Sequence, residues 1–293
     1  MSNINLSVAI MTHPDRTAQL QNLIDQIGDQ IEYAIIIDEE GLGIWGNAMN
    51  AWRAYIPEAT HHMVLQDDVI LSKNFFRVAK KLISMVHATD SISFCDKLQS
   101  EMNLAEREGF HWVVTTKVRH GQCLVQPVGQ IEDFIQFSEW FVRPDYDYDG
   151  GRLEMFLKRH RRGIWHSVPS LVEHDDHGSV GAIFNEGDEP YLGYKFIGRD
   201  TEADPKEWST LRVGFRPAPL RIVDQWAIGE ISVINAHEYP GHEIFSKPTA
   251  TIPYEIIMEQ ARIDRGATTP YIIPKTGRST ALANPCKEGD PCD

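Results

Sequence analysis

The residues best equipped for chemistry stand in four short stretches of the 293-residue chain. Gln66-Asp67-Asp68 closes an apolar run, and two adjacent carboxylates facing a crevice repel each other unless a cation lies beside them. A hard divalent ion with oxygen ligands, Mg²⁺ or Mn²⁺, suits such a pair and would bring a phosphorylated substrate with it. The same acids could instead cap the turn before Ser72 and Asn74. Gly41-Leu42-Gly43-Ile44-Trp45-Gly46 spells G-x-G-x-x-G, with Asp67 lying 21 residues beyond Gly46, the pattern of a dinucleotide-binding turn. Asp38, Glu39 and Glu40 just ahead of it oppose a pyrophosphate, so a plain glycine-rich turn competes with that reading. Pro169-Ser170-Leu171-Val172-Glu173-His174 ends in a histidine suited to completing a metal site begun elsewhere in the chain. His174 and His177 with Asp175 and Asp176 could also form a dinuclear hydrolase site, or a solvated loop. Asp145-Tyr146-Asp147-Tyr148-Asp149 precedes a helix whose N-terminus favours acids, and one of them could act as a general base.

The elements that position these residues alternate. Residues 6–11 and 33–38 are apolar, β-branched runs that read as strands, and residues 62–69 form a third that runs into the carboxylates. Between and after them, residues 17–27, 46–55 and 75–86 carry apolar side chains at helical spacing. Strand-helix repetition of this kind predicts an α/β fold with a mostly parallel sheet and flanking helices. Ligands in such sheets bind beyond the carboxyl ends of the strands, where Asp67 and Asp68 fall. Further on, strands are expected at 92–94, 111–118, 122–125 and 164–172, and helices at 133–141 and 152–161. Past residue 185 glycine, proline and charge dominate, with a strand-like piece at 231–234, a helix at 252–265 and a fraying tail from about 274. The expected division is a domain at 1–185 and a C-terminal extension at 186–293, serving as an acceptor-side lid or an oligomer contact.

Composition narrows the class. The chain is 42% hydrophobic and 24% charged, which excludes wholesale disorder, and no apolar run is long enough to span a membrane. A start without a basic, then apolar, leader makes the cytoplasm the expected address, the host's if the chain is phage-encoded. A net charge of −14 argues against coating nucleic acid or anionic membrane over the whole surface, though not against a local basic groove. Cysteines 95, 123, 286 and 292 lack Cys-x-x-Cys spacing, which argues against structural zinc, and Cys286 and Cys292 read as free thiols in a tail.

Taken in order, these motifs resemble the nucleotide-sugar glycosyltransferases of the GT-A fold, whose core is a Rossmann-like sheet. The likeness runs over roughly residues 5–182: Thr12-His13 and Arg16 after the first strand, Asp38 after the second, Gly46-Asn47-Ala48-Met49-Asn50-Ala51, Gln66-Asp67-Asp68 in place of the DxD motif, Asp149, and the run ending in His174. The resemblance implies a sugar transfer from a nucleoside-diphosphate donor, UDP by family habit, to a hydroxyl by an inverting displacement, although a retaining enzyme would need the same metal site. It implies that Thr12, His13, Arg16, Asp38, Asn47, Asn50, Arg53, Gln66 and Asp67 line the donor pocket, that Asp68 and His174 hold Mn²⁺ or Mg²⁺, and that Asp149 or Asp147 is the base, with Glu132-Asp133 as rival. Gln66 and Gly150 depart from the family pattern, each where an acid is usual.

For the acceptor, the QDD and PSLVEH-like motifs resemble phage-type enzymes that glycosylate hydroxymethylated pyrimidines in DNA. Arg152, Lys158, Arg159, His160, Arg161, Arg162 and His166 beside Trp165, and Lys117, Arg119 and His120 near Trp112, could hold a phosphate backbone and an extruded base. Arg159, Arg162 and Trp165 are the acceptor candidates on that reading; a solvated helix face is the alternative. A saccharide acceptor, an NAD(P)-dependent oxidoreductase built on Gly41–Gly46, and a silent nucleotide-sugar binder stand as the other classes.

Overall fold

A computed structural model describes residues 3–119, 121–142, 146, 148–160, 162–175 and 192–208, with the backbone of Val213–Gly214. Within these, the strands are β1 (Leu6–Thr12), β2 (Ala34–Ile37), β3 (His61–Gln66), β4 (Val69–Leu71), β5 (Ser91–Ser93), β6 (Trp112–Thr115), β7 (Cys123–Pro127), β8 (Ile164–Ser167), β9 (Val172–His174) and β10 (Val213–Gly214). The helices are α1 (Thr17–Ile27), α2 (Gly43–Arg53), α3 (Phe75–Ile83), α4 (Gln99–Arg107), α5 (Ile131–Phe141) and α6 (Asp149–His160).

The chain is α/β. Its main sheet has the order β10-β6-β8-β5-β7-β3-β1-β2, and β4 and β9 form a separate two-stranded sheet. Parallel pairing joins β2 to β1, β1 to β3, β5 to β8 and β10 to β6, while β7 and β8 add antiparallel joints. The sheet is therefore mixed rather than purely parallel. β1 is buried at all seven positions because it lies inside the sheet, which explains its mainly apolar sequence, with Ser7 and Thr12 as its two buried polar residues. β2 lies at the sheet's end and alternates, leaving Ile35 and Ile37 exposed.

α1 covers residues 17–27 as its spacing predicts, burying Leu23 and Ile27, and stops at Gly28, whose φ of +54° suits glycine. α3 buries Phe75, Phe76, Val78, Ala79, Leu82 and Ile83. Six such side chains on nine residues exclude enough apolar surface to hold the helix without help from propensity.

Two expected strands are broken. The run at 62–69 ends at Gln66 and resumes as β4 on another sheet, and the run at 164–172 divides around Pro169, which has no N–H to donate to a ladder. α4 was not legible, because the polar stretch Gln99–Arg107 buries only Glu101, Met102 and Ala105.

The chain divides into two compact units, Met1–Ile135 with Asp147–Ala218, and Gln136–Tyr146 with Pro219–Asp293. The expected boundary at 185 thus falls inside the first unit. Tyr194, Ala203 and Trp208 are buried there, and Tyr194 and Thr201 tie their backbones to Asp96 and Lys73. In the second unit the described residues include the end of α5, where Phe137 stacks on Phe141. The strand and helix expected at 231–234 and 252–265, Cys286, Cys292 and the tail lie outside the described residues. Cys95 and Cys123 are free and buried, and burial raises both thiols above their usual range. Among the described residues, no helix is long and apolar enough to cross a membrane.

Candidate active site

Three parallel strands end at one edge of the sheet. β1 delivers Thr12, β2 delivers Asp38, and β3 delivers Gln66 followed by Asp67 and Asp68. Asp38 donates its N–H to Thr12 O at 3.0 Å, and Asn47 of α2 donates its side-chain amide to the same carbonyl at 3.0 Å. The antiparallel β7 starts here, with Gln122 O accepting the N–H of Gln66.

At the centre are two carboxylates with opposite environments. Asp67 and Asp68 are only 3% and 4% exposed, so leaving both ionised demands compensation. Arg16 supplies it: its Nη2 lies 2.8 Å from Asp68 Oδ2 and its Nε 3.3 Å from Asp67 Oδ1. Thr12 donates its hydroxyl to Asp67 Oδ2. His174 Nε2 lies 3.1 Å from Asp68 Oδ2. That contact follows from the small sheet, whose register sets Val69 opposite His174, and Asp175 N–H reinforces it by donating to Asp68 O at 2.7 Å. The pair is 106 residues apart in sequence.

Burial dominates at Asp67 and holds its carboxyl above the usual range, against the hydrogen bond from Thr12 and the charge of Arg16. Burial also acts to raise Asp68, but the hydrogen bond and charge of His174 together with Arg16 outweigh it and leave Asp68 below the usual range. At pH 7 ionised Asp68 therefore favours the fold, whereas ionised Asp67 is held at a cost. Asp68→Asn is expected to lower the unfolding free energy by more than Asp67→Asn, as compared in urea titrations at pH 7.

The other residues expected to line a donor pocket fall into two groups. Asn47 is 5% exposed and its Oδ1 is a buried acceptor with no hydrogen-bond partner among the described residues, facing the side where Thr12 ends β1. His13, half-buried, caps the short turn Pro14–Arg16 by accepting Asp15 N–H, and Gln66 is half-buried at the end of β3. Asn50 is exposed. Arg53 is exposed on the last turn of α2, about 9 Å along the axis from Asn47 and on a different face, so these two do not line one surface. Asp38 accepts the N–H groups of Leu42 at 2.7 Å and Gly43 at 3.2 Å. Its carboxylate thus fills the anion position at the start of α2 that a pyrophosphate would need. Gly46 lies inside α2, where a methyl group would meet Leu42 Cβ at 2.5 Å. This glycine serves close packing, which is also the role of the third glycine in a dinucleotide turn, so the carboxylate of Asp38 at the start of α2 is what weighs against a pyrophosphate there.

Asp149 begins α6 and is 2% exposed. It sits against Gly121: a methyl group there would lie 2.7 Å from Asp149 Oδ2 and 2.8 Å from Oδ1. Since Gln122 hydrogen-bonds to Gln66, this contact sets Asp149 beside the edge that carries the aspartate pair. Gly121 is a close neighbour of Asp149 that sequence reasoning missed, because a glycine ahead of a strand carries no signal of what approaches it. Asp147 lies outside the described residues, as do His120, Asp145, Arg161, Asp176 and His177.

Among the described residues, the basic acceptor candidates stand apart from one another. Trp165 is 5% exposed, packs edge-to-face on Trp112 with centroids 5.7 Å apart, and donates its indole N–H to Asp90 at 2.8 Å. Its place on β8 puts it inside the sheet's core. His166 is buried against Asp96 at 3.1 Å, Arg152 is buried over the Trp45 ring at 4.6 Å, and Lys158 and Lys117 pair with Glu154 and Glu101. Arg159 is exposed and Arg162 half-buried over Phe156, at the opposite end of α6 from Asp149, about 15 Å along its axis.

A divalent cation would find two ligands here. Asp68 Oδ1 is buried with no hydrogen-bond partner among the described residues, and His174 Nε2 adjoins the same carboxylate. No group of three His, Cys, Asp or Glu among the described residues could hold a metal ion, so a phosphorylated ligand and water would have to complete the shell, as Mg²⁺ commonly requires. The residues fit the ion on those terms. Neither a protein-family model nor a curated protein matches the chain.

Proposed function

We propose that the chain is a glycosyltransferase of GT-A architecture, moving a sugar from a nucleoside diphosphate, UDP by preference, to a hydroxyl acceptor. The observation that carries this reading is the pairing of Asp68 with His174 at the edge where β1, β2 and β3 end. A carboxylate and an imidazole supplied by two remote motifs, with one buried carboxylate oxygen lacking a partner, suit a cation that also takes a diphosphate. When bound, that cation supplies positive charge to the departing nucleoside diphosphate.

The chain's own residues do the rest. Arg16, with its guanidinium at the same carboxylates, offers a second positive charge within reach of the phosphates. Asn47 Oδ1 accepts a hydrogen bond from the nucleoside or the sugar. Asp149 takes the proton from the attacking hydroxyl, held in place by Gly121. Its burial shields that proton transfer from bulk water.

Hydroxymethylated DNA and a saccharide are the two acceptors in play. The DNA reading has lost its aromatic contact with Trp165 inside the core, and Arg159 and Arg162 stand at the wrong end of α6 for Asp149. Saccharide acceptors therefore take first place in a screen, with hydroxymethylated duplex as its second arm.

The donor site is tested by thermal denaturation with nucleoside diphosphates and nucleotide sugars, each with Mn²⁺ and with EDTA. At a ligand concentration 100 times Kd the expected stabilisation is about 2.7 kcal/mol, a rise of roughly 5–10 °C. It should require Mn²⁺ and vanish in Asp68→Ala. A shift with NAD(P) and with no nucleotide sugar would overturn the proposal.

A further inference from the structure

We infer that Arg16 is an internal stand-in for the divalent cation: its guanidinium neutralises Asp67 and Asp68 until the donor arrives, then transfers to the diphosphate as the cation takes its place. This deepens the glycosyltransferase reading and rests on it.

The argument starts from charge. Two adjacent carboxylates, both nearly inaccessible to water, share one guanidinium that spans them through Nη2 and Nε. The side chain of Arg16 is itself 12% exposed, so it is as much part of the buried cluster as the acids. Arg16 and His174 converge on one atom, Asp68 Oδ2, and leave Oδ1 without a hydrogen-bond partner among the described residues. The guanidinium thus holds the place of positive charge beside both acids, and a cation that arrives alone must displace it.

A diphosphate removes the conflict. It gives the guanidinium acceptor oxygens that match its fork, so Arg16 can release Asp68 without becoming an unpaired buried charge. Arg16 stands between β1 and α1, at the end of the short turn Pro14–Arg16, with its backbone N–H bonded to His13 O and its reach set by a long side chain. The consequence is thermodynamic. Cation and nucleotide should each raise the other's affinity by the same factor, and Arg16 should be the source of much of that coupling.

The test is titration of Mn²⁺, by electron paramagnetic resonance or calorimetry, with and without UDP, in wild type, Arg16→Gln and Arg16→Lys. Wild type is expected to bind Mn²⁺ weakly alone and on the order of tenfold or more tightly with UDP present. Arg16→Gln should bind Mn²⁺ alone on the order of tenfold more tightly than wild type while binding UDP less well, so that the coupling falls towards one. Arg16→Lys keeps the charge and should keep Mn²⁺ binding alone weak. Should Arg16→Gln fail to fold, the ¹⁵N shifts of the His174 ring in wild type give a second readout: they should respond to Mg²⁺ with UDP and barely to Mg²⁺ alone.

Equal or weaker Mn²⁺ binding in folded Arg16→Gln, or no coupling in wild type, overturns the exchange. The donor reading survives those results if wild type still binds UDP with Mn²⁺ and Asp68→Ala does not. Absence of Mn²⁺ and UDP binding in every protein overturns both.

Discussion

Between pH 6.5 and pH 4 the protein is expected to lose on the order of 3 kcal/mol of stability through His62. His62 lies on β3, is wholly buried, and has both ring nitrogens occupied. Ala51 O, which can only accept, lies 2.9 Å from Nε2, so Nε2 carries the proton and Nδ1 accepts from the Ser7 hydroxyl at 2.7 Å. Trp52 and Tyr55 pack edge-on around the ring. Burial lowers its pKa to about 4, against the opposing influence of the two hydrogen bonds.

The sign is fixed by which state binds protons. An unfolded chain protonates His62 near pH 6.5, while the folded one resists until about pH 4, so stability falls with pH throughout that window and is level above it. His61, likewise lowered to about 4 by burial, acts in the same direction. Urea titrations at pH 7.0, 5.5 and 4.5 measure the slope. His62→Gln should flatten it although the variant is less stable at pH 7, and His87→Gln, a change at an exposed site, should leave it intact. Equal stability of wild type at pH 7.0 and 4.5 would refute the buried neutral ring.

Gly121→Ala is the second large effect. Its added methyl would stand 2.7 and 2.8 Å from the two oxygens of Asp149, well inside contact distance, and Asp149 is fixed at the start of α6. The carboxylate must shift. A displacement near 1 Å from a productive position can cost about 100-fold in rate. The expected result is a kcat lower by about that factor with donor affinity nearly unchanged, because Arg16, Asn47 and Asp68, the residues proposed to hold the donor, are untouched. Overpacking a buried site should also cost about 1–3 kcal/mol of stability. Asp149→Asn should lose at least as much rate while sparing the packing. If Gly121→Ala transfers sugar at the wild-type rate, Asp149 is not the base.

These two results probe features of different legibility. That residues 62–66 form a buried strand follows from an apolar run, and the strand's end is where a parallel sheet places ligands. That His62 is a satisfied core histidine does not follow, since its partners Ser7 and Ala51 lie on β1 and α2. The Asp149 contact is equally remote, because Gly121 and Asp149 meet only through the antiparallel return of β7 and the start of α6.

The same division runs through the whole candidate site. Local pattern alone determined β1, the bounds of α1, the α/β alternation and the position of Gln66-Asp67-Asp68 at a strand end, because periodicity reports which faces are buried. Tertiary structure decided the rest. It broke the third strand so that β4 could pair with β9 and bring His174 to Asp68, and it set Arg16 across both acids. It gave Asp38 to the start of α2, where a glycine-rich motif suggested a phosphate, and folded Trp165 into the core where a basic, aromatic stretch suggested an acceptor surface. Charge and aromaticity are properties of a residue, whereas exposure and partnership belong to the packed whole, so only the fold could tell a ligand contact from an internal one.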